Sequence, residues 1–270
     1  MNYVIVDGNL VTEDKPALQV NNRGYRYGDG LFETMLVLAG KIIFETYHFE
    51  RLFEGLKLIQ IELPPDINPK KLAGESLKLC EQNNCTELAR VRLSVNSGNG
   101  NLSDPNNSQY IIECQPIKKR SWNETGLLVD VYPSARKTCD RFSHLKSANY
   151  LPYVMAARYA SKNQLDDALV LNAHERIAES SIANVFVVKD GRLFTPSLQE
   201  GCVSGTVRRW ILENYDVVEK GLTPEDIKSA DEVFLSNAIS GIRWVRQCGD
   251  AKYYAKLSLD IYQKLQRESG

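Results

Sequence analysis

Few side chains in the 270-residue sequence can do chemistry by type and spacing alone. His48, His144 and His174 are the only imidazoles, and no two fall at metal-ligand spacing, so no zinc or iron site is expected. No Gly-x-Ser-x-Gly turn occurs, which leaves a serine hydrolase without its nucleophile elbow. The six cysteines (Cys80, Cys85, Cys114, Cys139, Cys202, Cys248) form no Cys-x-x-Cys pair. A chain this long needs no staples, so reduced, structural thiols are expected. Lysines are by type ordinarily solvated charges, Lys146 in Lys-Ser-Ala-Asn-Tyr-Leu ahead of a helix among them. Val203-Ser204-Gly205-Thr206-Val207 opens another helix, where free N–H groups and the helix dipole attract anions and Gly205 admits close approach. Arg90 and Arg92 alternate with Val91 and therefore face one side of a strand. If that side lines a pocket, two guanidinium forks suit a substrate with an extra carboxylate; the alternative is a solvated face of an antiparallel sheet.

The elements that must position these groups read as follows. Asp7-Gly8-Asn9 between Tyr3–Val6 and Leu10–Val11, and Ala39-Gly40 between Phe32–Leu38 and Lys41–Phe44, are hairpin signals. Apolar residues at helical spacing predict helices over His48–Ile61, which Pro64-Pro65 stops, and over Asn68–Asn83. Ala89–Val95 and Tyr110–Ile117 predict paired strands around a polar loop, Asn96 to Gln109, of a length usually reserved for function. Strand Leu127–Tyr132, a helix from Asn149 to Lys162, and strands Ala168–Asn172 and Ser181–Lys189 follow. Ser204 is expected to cap a helix through Asn214, and Thr223-Pro224-Glu225-Asp226 has the form of a capping box. Strand Glu232–Ser236, extended by Ile242–Val245, and a helix from Lys256 complete the chain.

The alternation predicts an α+β first half and a mixed α/β second half, with an N-terminal domain over 1–118, a linker over 119–125 and a C-terminal domain over 126–270 carrying Lys146. Thirty-three basic against 34 acidic residues give a net charge of −1, which argues against a nucleic-acid or membrane partner. The N-terminus has no basic segment followed by an apolar stretch, so a cytoplasmic protein is expected.

Four segments occur in order: Tyr25-Arg26-Tyr27-Gly28-Asp29-Gly30-Leu31-Phe32-Glu33-Thr34, His48-Phe49-Glu50-Arg51-Leu52, Lys146-Ser147-Ala148-Asn149-Tyr150-Leu151, and Ala178-Glu179-Ser180-Ser181-Ile182-Ala183-Asn184-Val185-Phe186. The set resembles the class IV aminotransferases, the fold-type IV group that includes branched-chain and D-amino-acid aminotransferases and aminodeoxychorismate lyase, over essentially the whole chain. The resemblance implies a two-domain fold whose second domain is a barrel-like mixed sheet. It also implies a homodimer and pyridoxal 5'-phosphate as cofactor, with Lys146 as the lysine of the Schiff base and Glu179 facing the pyridine nitrogen. Tyr150 is implied to bond the cofactor's phenolic oxygen, and Arg51 its phosphate. Gly205, Thr206 and Val207 are implied as a second phosphate anchor. The loop Ser236–Gly241, with Ala238, Ile239 and Ser240, is implied to donate amides to phosphate and substrate carboxylate. Tyr27 and Phe32 are then expected to wall the substrate pocket, with Arg90 and Arg92.

The sequence also departs from the family pattern. The usual threonines of the two phosphate turns fall at Val207 and Ala238, while Thr206, one position earlier, carries a hydroxyl. The loop after the third strand, Asn96 to Asn107, lacks the Arg-x-His of D-amino-acid aminotransferases, which disfavours that activity. The Tyr-x-Arg of branched-chain enzymes becomes Arg90-Val91-Arg92. The expected activity is amino transfer from an amino acid, foremost a branched-chain one, to 2-oxoglutarate. Pyruvate release from 4-amino-4-deoxychorismate, giving 4-aminobenzoate, is the alternative that the Asn237-Ala238 pair supports. A non-catalytic cofactor-binding homologue is the reading of another class.

Overall fold

The computed structural model describes residues 2–118 and 121–269. The chain divides into two compact units, Met1–Lys119 with Leu145–Asn149, and Arg120–His144 with Tyr150–Gly270.

In the first unit, β1 (Tyr3–Val6) and β2 (Asn9–Thr12) form the expected first hairpin. Asp7 and Gly8 take φ +49° and +79°, the doubly left-handed turn whose twist matches the strands. After α1 (Arg23–Tyr27), Ala39 and Gly40 repeat that turn between β3 (Gly30–Leu38) and β4 (Lys41–Ile42), the latter shorter than expected. Helix α2 (Glu45–Leu58) begins and ends three residues before the predicted span, and α3 (Pro69–Gln82) matches its prediction closely. The reason is local: Asn68 accepts from the Lys71 N–H at 3.0 Å and Pro69 occupies the first helical position. With β5 (Leu88–Asn96) and β6 (Gln109–Pro116) the strands make an antiparallel sheet in the order β2-β1-β6-β5-β3-β4. Alternate residues Ala89, Val91, Leu93 and Val95 of β5 face Leu52, Leu56, Leu72 and Leu79 of α2 and α3 in one core. Each such aliphatic side chain contributes about 2 kcal/mol of burial. Arg90, Arg92 and Ser94 occupy the opposite, half-buried face.

The second unit contains β7 (Leu127–Lys137), α4 (Leu151–Lys162), β8 (Asp167–Asn172), β9 (Ile177–Ser180), β10 (Asn184–Lys189), β11 (Arg192–Pro196), α5 (Thr206–Asn214), β12 (Val217–Lys220), α6 (Pro224–Lys228), β13 (Glu232–Asn237), β14 (Gly241–Cys248), β15 (Ala251–Lys252) and α7 (Leu257–Ser269). Its strands follow the order β12-β11-β10-β13-β14-β7-β8-β9, with β15 on β14. The pairs β7/β8, β7/β14 and β11/β12 are parallel and the rest antiparallel, as a mixed sheet requires. Ile177 of β9, at one end of this order, bridges Leu222 near its other end, and Ser180 N–H donates to the Ala183 carbonyl beside β10. The sheet therefore curls toward closure, as the barrel-like expectation held.

Three expectations need correction. The linker 119–125 begins with two positions outside the described residues, and Trp122 and Asn123 within it pack as part of the second unit. Trp122 lies 5.1 Å from the Tyr262 ring, and the Asn123 carbonyl accepts from the Trp244 indole at 2.6 Å. Lys146, placed by sequence in the C-terminal domain, belongs to the first unit. The cause is strand-like pairing, in which Phe32 N–H donates to the Lys146 carbonyl and Ala148 N–H to that of Gly30, both at 3.0 Å. Finally, Ile242–Val245 does not extend β13 but returns antiparallel to it within β14.

Candidate functional site

In the first unit the Lys146 amine is set by β3. The bonds that Lys146 and Ala148 make to that strand hold the lysine beside Phe32, with Nζ 4.5 Å from the ring centre. Phe32 is buried, and the Arg92 guanidinium lies 3.7 Å from the same ring centre. The structure thus brings together Lys146, Phe32 and Arg92. Arg90 is one pleat further along β5, opposite Gln115 of β6. Tyr27 ends α1 and is exposed, so it contributes surface rather than a closed wall. Gly28 follows it in the left-handed region at φ +66°, where a side chain would be strained and its Cβ would press on Asn149.

On the other face of β3, Glu33 meets α2. Arg51 donates from Nε to Oε1 at 2.8 Å and from a terminal nitrogen to Oε2 at 2.5 Å, while His48 Nδ1 lies 2.6 Å from Oε2. Burial opposes ionisation of Glu33, but the charge of Arg51, together with the hydrogen bonds from His48 and Arg51, outweighs it and holds the carboxyl at about 2. Burial pushes His48 below its ordinary value despite the pull of Glu33, so the imidazole is neutral at pH 7, donating through Nδ1. Arg51, expected on a phosphate, therefore spends one edge of its fork on Glu33 and is oriented by it. The sequence reading missed Glu33 and His48 as partners, although Glu33-Thr34 and His48-x-x-Arg51 were both in view. Glu33→Gln should cost about 3 kcal/mol at neutral pH, because it breaks a buried ion pair. Since the folded carboxyl titrates lower than an unfolded one, this stabilisation is complete above the ordinary carboxyl pKa and is lost as pH falls toward 2. Urea melts of both proteins between pH 7 and 2.5 should show the gap closing on acidification. A gap independent of pH would contradict the assignment.

The long loop after β5 is ordered by Arg23, which is buried and which sequence reasoning passed over. Its guanidinium donates to the carbonyls of Ser97 at 2.6 Å, Asp104 at 2.9 Å and Asn101 at 3.3 Å, and to Asn106 Oδ1 at 3.0 Å. Arg23, two residues upstream of the Tyr25–Thr34 motif, thus gathers a loop that has no hydrophobic run of its own.

In the second unit the centre is Glu179, on β9 and buried. Its Oε1 accepts from Lys137 Nζ at 2.7 Å, the Tyr153 hydroxyl at 2.5 Å and the Val203 N–H at 3.0 Å. Oε2 has only the longer contact from Asn184 Nδ2 at 3.4 Å among the hydrogen bonds described. Burial, then the charge of Glu179, raises the Tyr153 hydroxyl well above its usual range, so it remains a donor. Tyr150 is the residue that precedes α4, and its ring sits 4.5 Å from that of Tyr153. Lys137 and Tyr153 were not foreseen. Lys137 lies beyond Pro133, where a strand normally ends, but β7 continues through a bulge between Tyr132 and Arg136.

Gly205 is the N-cap of α5 and lies against Asn184; a Cβ there would come within 2.0 Å of Asn184 Oδ1. Thr206 Oγ1, at the first turn, is buried with no hydrogen-bond partner, as is Ser236 Oγ at the end of β13. Val207 is 1% exposed and packs inward, so its side chain serves the core. In the loop after β13, the half-buried Ala238 starts a turn in which Asn237 Oδ1 accepts from the N–H groups of Ile239 at 3.0 Å and Ser240 at 2.7 Å. Those two amides, expected to meet substrate, are satisfied within the turn.

Residues 30–248 match the model of the amino-transferase class IV family. A D-alanine aminotransferase of Staphylococcus haemolyticus is 27% identical over 266 residues, 93% of each chain. A 4-amino-4-deoxychorismate lyase from Pseudomonas aeruginosa superposes with a TM-score of 0.84 at 28% identity, over 98% of each chain. A branched-chain aminotransferase from Thermoproteus uzoniensis, crystallised with norvaline, gives 0.89 at 24% identity over 98% of this chain and 94% of that one, a likeness of fold. No helix among the described residues is long and apolar enough to cross a membrane.

Proposed function

The chain belongs to the class IV aminotransferase family, and on that premise we propose that it moves an amino group from an amino acid, foremost a branched-chain one, to 2-oxoglutarate, using pyridoxal 5'-phosphate. The observation that carries the reading is the sharing of the Phe32 ring by Lys146 and Arg92, which sets a carboxylate-binding fork beside an amine. The apolar ring suits an aliphatic side chain, and Arg90 with Arg92 suits the second carboxylate of 2-oxoglutarate.

The residues present fit the cofactor. Thr206 Oγ1 and Ser236 Oγ are buried hydroxyls without partners, and Gly205 leaves the start of α5 bare of side chain, the donor set a phosphate takes. Bound there, the cofactor supplies an aldehyde for amino groups and a ring that withdraws electrons from the carbon bearing them. Lys137, Tyr153 and the Val203 amide fix the Glu179 carboxylate through Oε1, and the carboxylate would face the ring nitrogen and favour its protonated form. Lys146 removes the proton from the substrate's α-carbon and returns it. Arg92 orients the substrate through a carboxylate. The reading extends, on the family resemblance, to a cytoplasmic homodimer, for which sedimentation at twice the chain mass is the check.

One further reading has support of its own: the lyase activity, favoured by the 28% identity to the Pseudomonas enzyme and by the Asn237-Ala238 turn. Glutamate formation from 2-oxoglutarate with leucine, isoleucine or valine should be measured beside pyruvate release from aminodeoxychorismate. Glutamate without pyruvate is expected. Pyruvate without glutamate would replace the aminotransferase reading with the lyase, and neither product would leave a non-catalytic homologue.

A further inference from the structure

Three thiols of the first unit play no part in the chemistry above, although the sequence spacing gave them no common purpose. Cys80 lies in the last turn of α3, which ends in a Schellman motif. Asn84 takes φ +52°, its N–H donates to the Glu81 carbonyl at 3.1 Å, and Cys85 N–H reaches back to the Cys80 carbonyl at 2.9 Å. That motif juxtaposes the side chains of its first and last residues, ordinarily an apolar pair; here both are cysteines. Strand β6 brings Cys114 to the same place, with its Sγ 3.6 Å from that of Cys85. All three sulfurs lie within 4.8 Å of one another. Asn83 locks the arrangement: its amide exchanges two 2.9 Å bonds with the backbone of Tyr3, and its Nδ2 also donates to Cys114 Sγ at 3.2 Å. A donor so oriented favours the thiolate.

We propose that Cys80, Cys85 and Cys114 form a metal site that takes a zinc ion on three thiolates. A tetrahedral ion with Zn–S bonds of about 2.3 Å holds its sulfurs about 3.8 Å apart, so no pair of the trio has to close by more than about 1 Å. Among the described residues no fourth histidine, cysteine or carboxylate joins the group. Cys80 and Cys85 are buried but Cys114 is half-buried, so the fourth position falls to water on the side of Cys114. Binding releases three thiol protons to solvent and changes no oxidation state. Three thiolates around a divalent ion leave one net negative charge, whereas around Cu(I) they would leave two, a costlier burial.

The test uses the purified holoenzyme, reduced without thiols and stripped of metal, titrated with Zn(II) against a chromophoric chelator while free thiols are counted. One zinc per chain is expected, with three thiols protected. Cys114→Ser and Cys85→Ser should each weaken binding on the order of 100-fold or more, with Cys139→Ser unchanged. Cys114 is the primary position because its partial exposure tolerates a hydroxyl. No zinc at one per chain, binding unaltered in both variants, or uptake of Cu(I) where Zn(II) is refused would each overturn the proposal.

Discussion

Lys146→Ala is expected to lower kcat/KM by about 10,000-fold or more, since it removes the group proposed to carry the α-proton. The fold should survive. The segment is held by main-chain bonds between Phe32 and Lys146 and between Ala148 and Gly30, which alanine keeps, and the lysine side chain is only half-buried. Far-ultraviolet dichroism and melting temperature close to wild type, together with lost turnover, is the predicted pair of results. Turnover within tenfold of wild type would refute the role.

Glu179→Gln should lower kcat by about 1,000-fold, the scale of removing one preorganised electrostatic partner. It also strands Lys137, 9% exposed, beside a neutral amide, which costs about 3 kcal/mol of stability. The two effects can be separated. The double variant Lys137→Met/Glu179→Gln should recover most of the stability, because no buried cation is left unpaired, and none of the activity. Recovery of activity together with stability would mean that Glu179 is purely structural.

How much of this was legible in the sequence depended on how local the determinants were. Helix α3 and the box at Thr223, which accepts from Asp226 N–H at 3.2 Å while Asp226 accepts from Thr223 N–H at 2.8 Å, were read closely because caps act over four residues. Both hairpins declared themselves through paired left-handed turn residues. Strand β9 did not: its four residues are all buried, so it has no alternation to read, and Glu179 was seen only through its neighbours' resemblance to a family. The pairing of β10 with β13, of β7 with β14, and of 145–149 with β3 joins residues about 50 to 120 apart, which periodicity cannot carry. The partners that orient the chemistry were also hidden. Lys137 lay behind a proline, Arg23 was one arginine among many, and the three cysteines meet only because a helix cap and a strand converge. Arg51 and Tyr150 were singled out by resemblance, but their contacts, with Glu33 and Tyr153, followed from the fold. Resemblance could nominate Lys146 and Glu179; it could not say what holds them.

The central claim, that Lys146 is the amine that joins the cofactor, is tested most directly by reducing the purified, cofactor-loaded protein with borohydride and mapping the labelled peptide. The pyridoxyl group should be found on Lys146, on the peptide leading into α4, and should be absent from that peptide in Lys146→Ala. A label on the buried Lys137, or none at all after loading, would contradict the account.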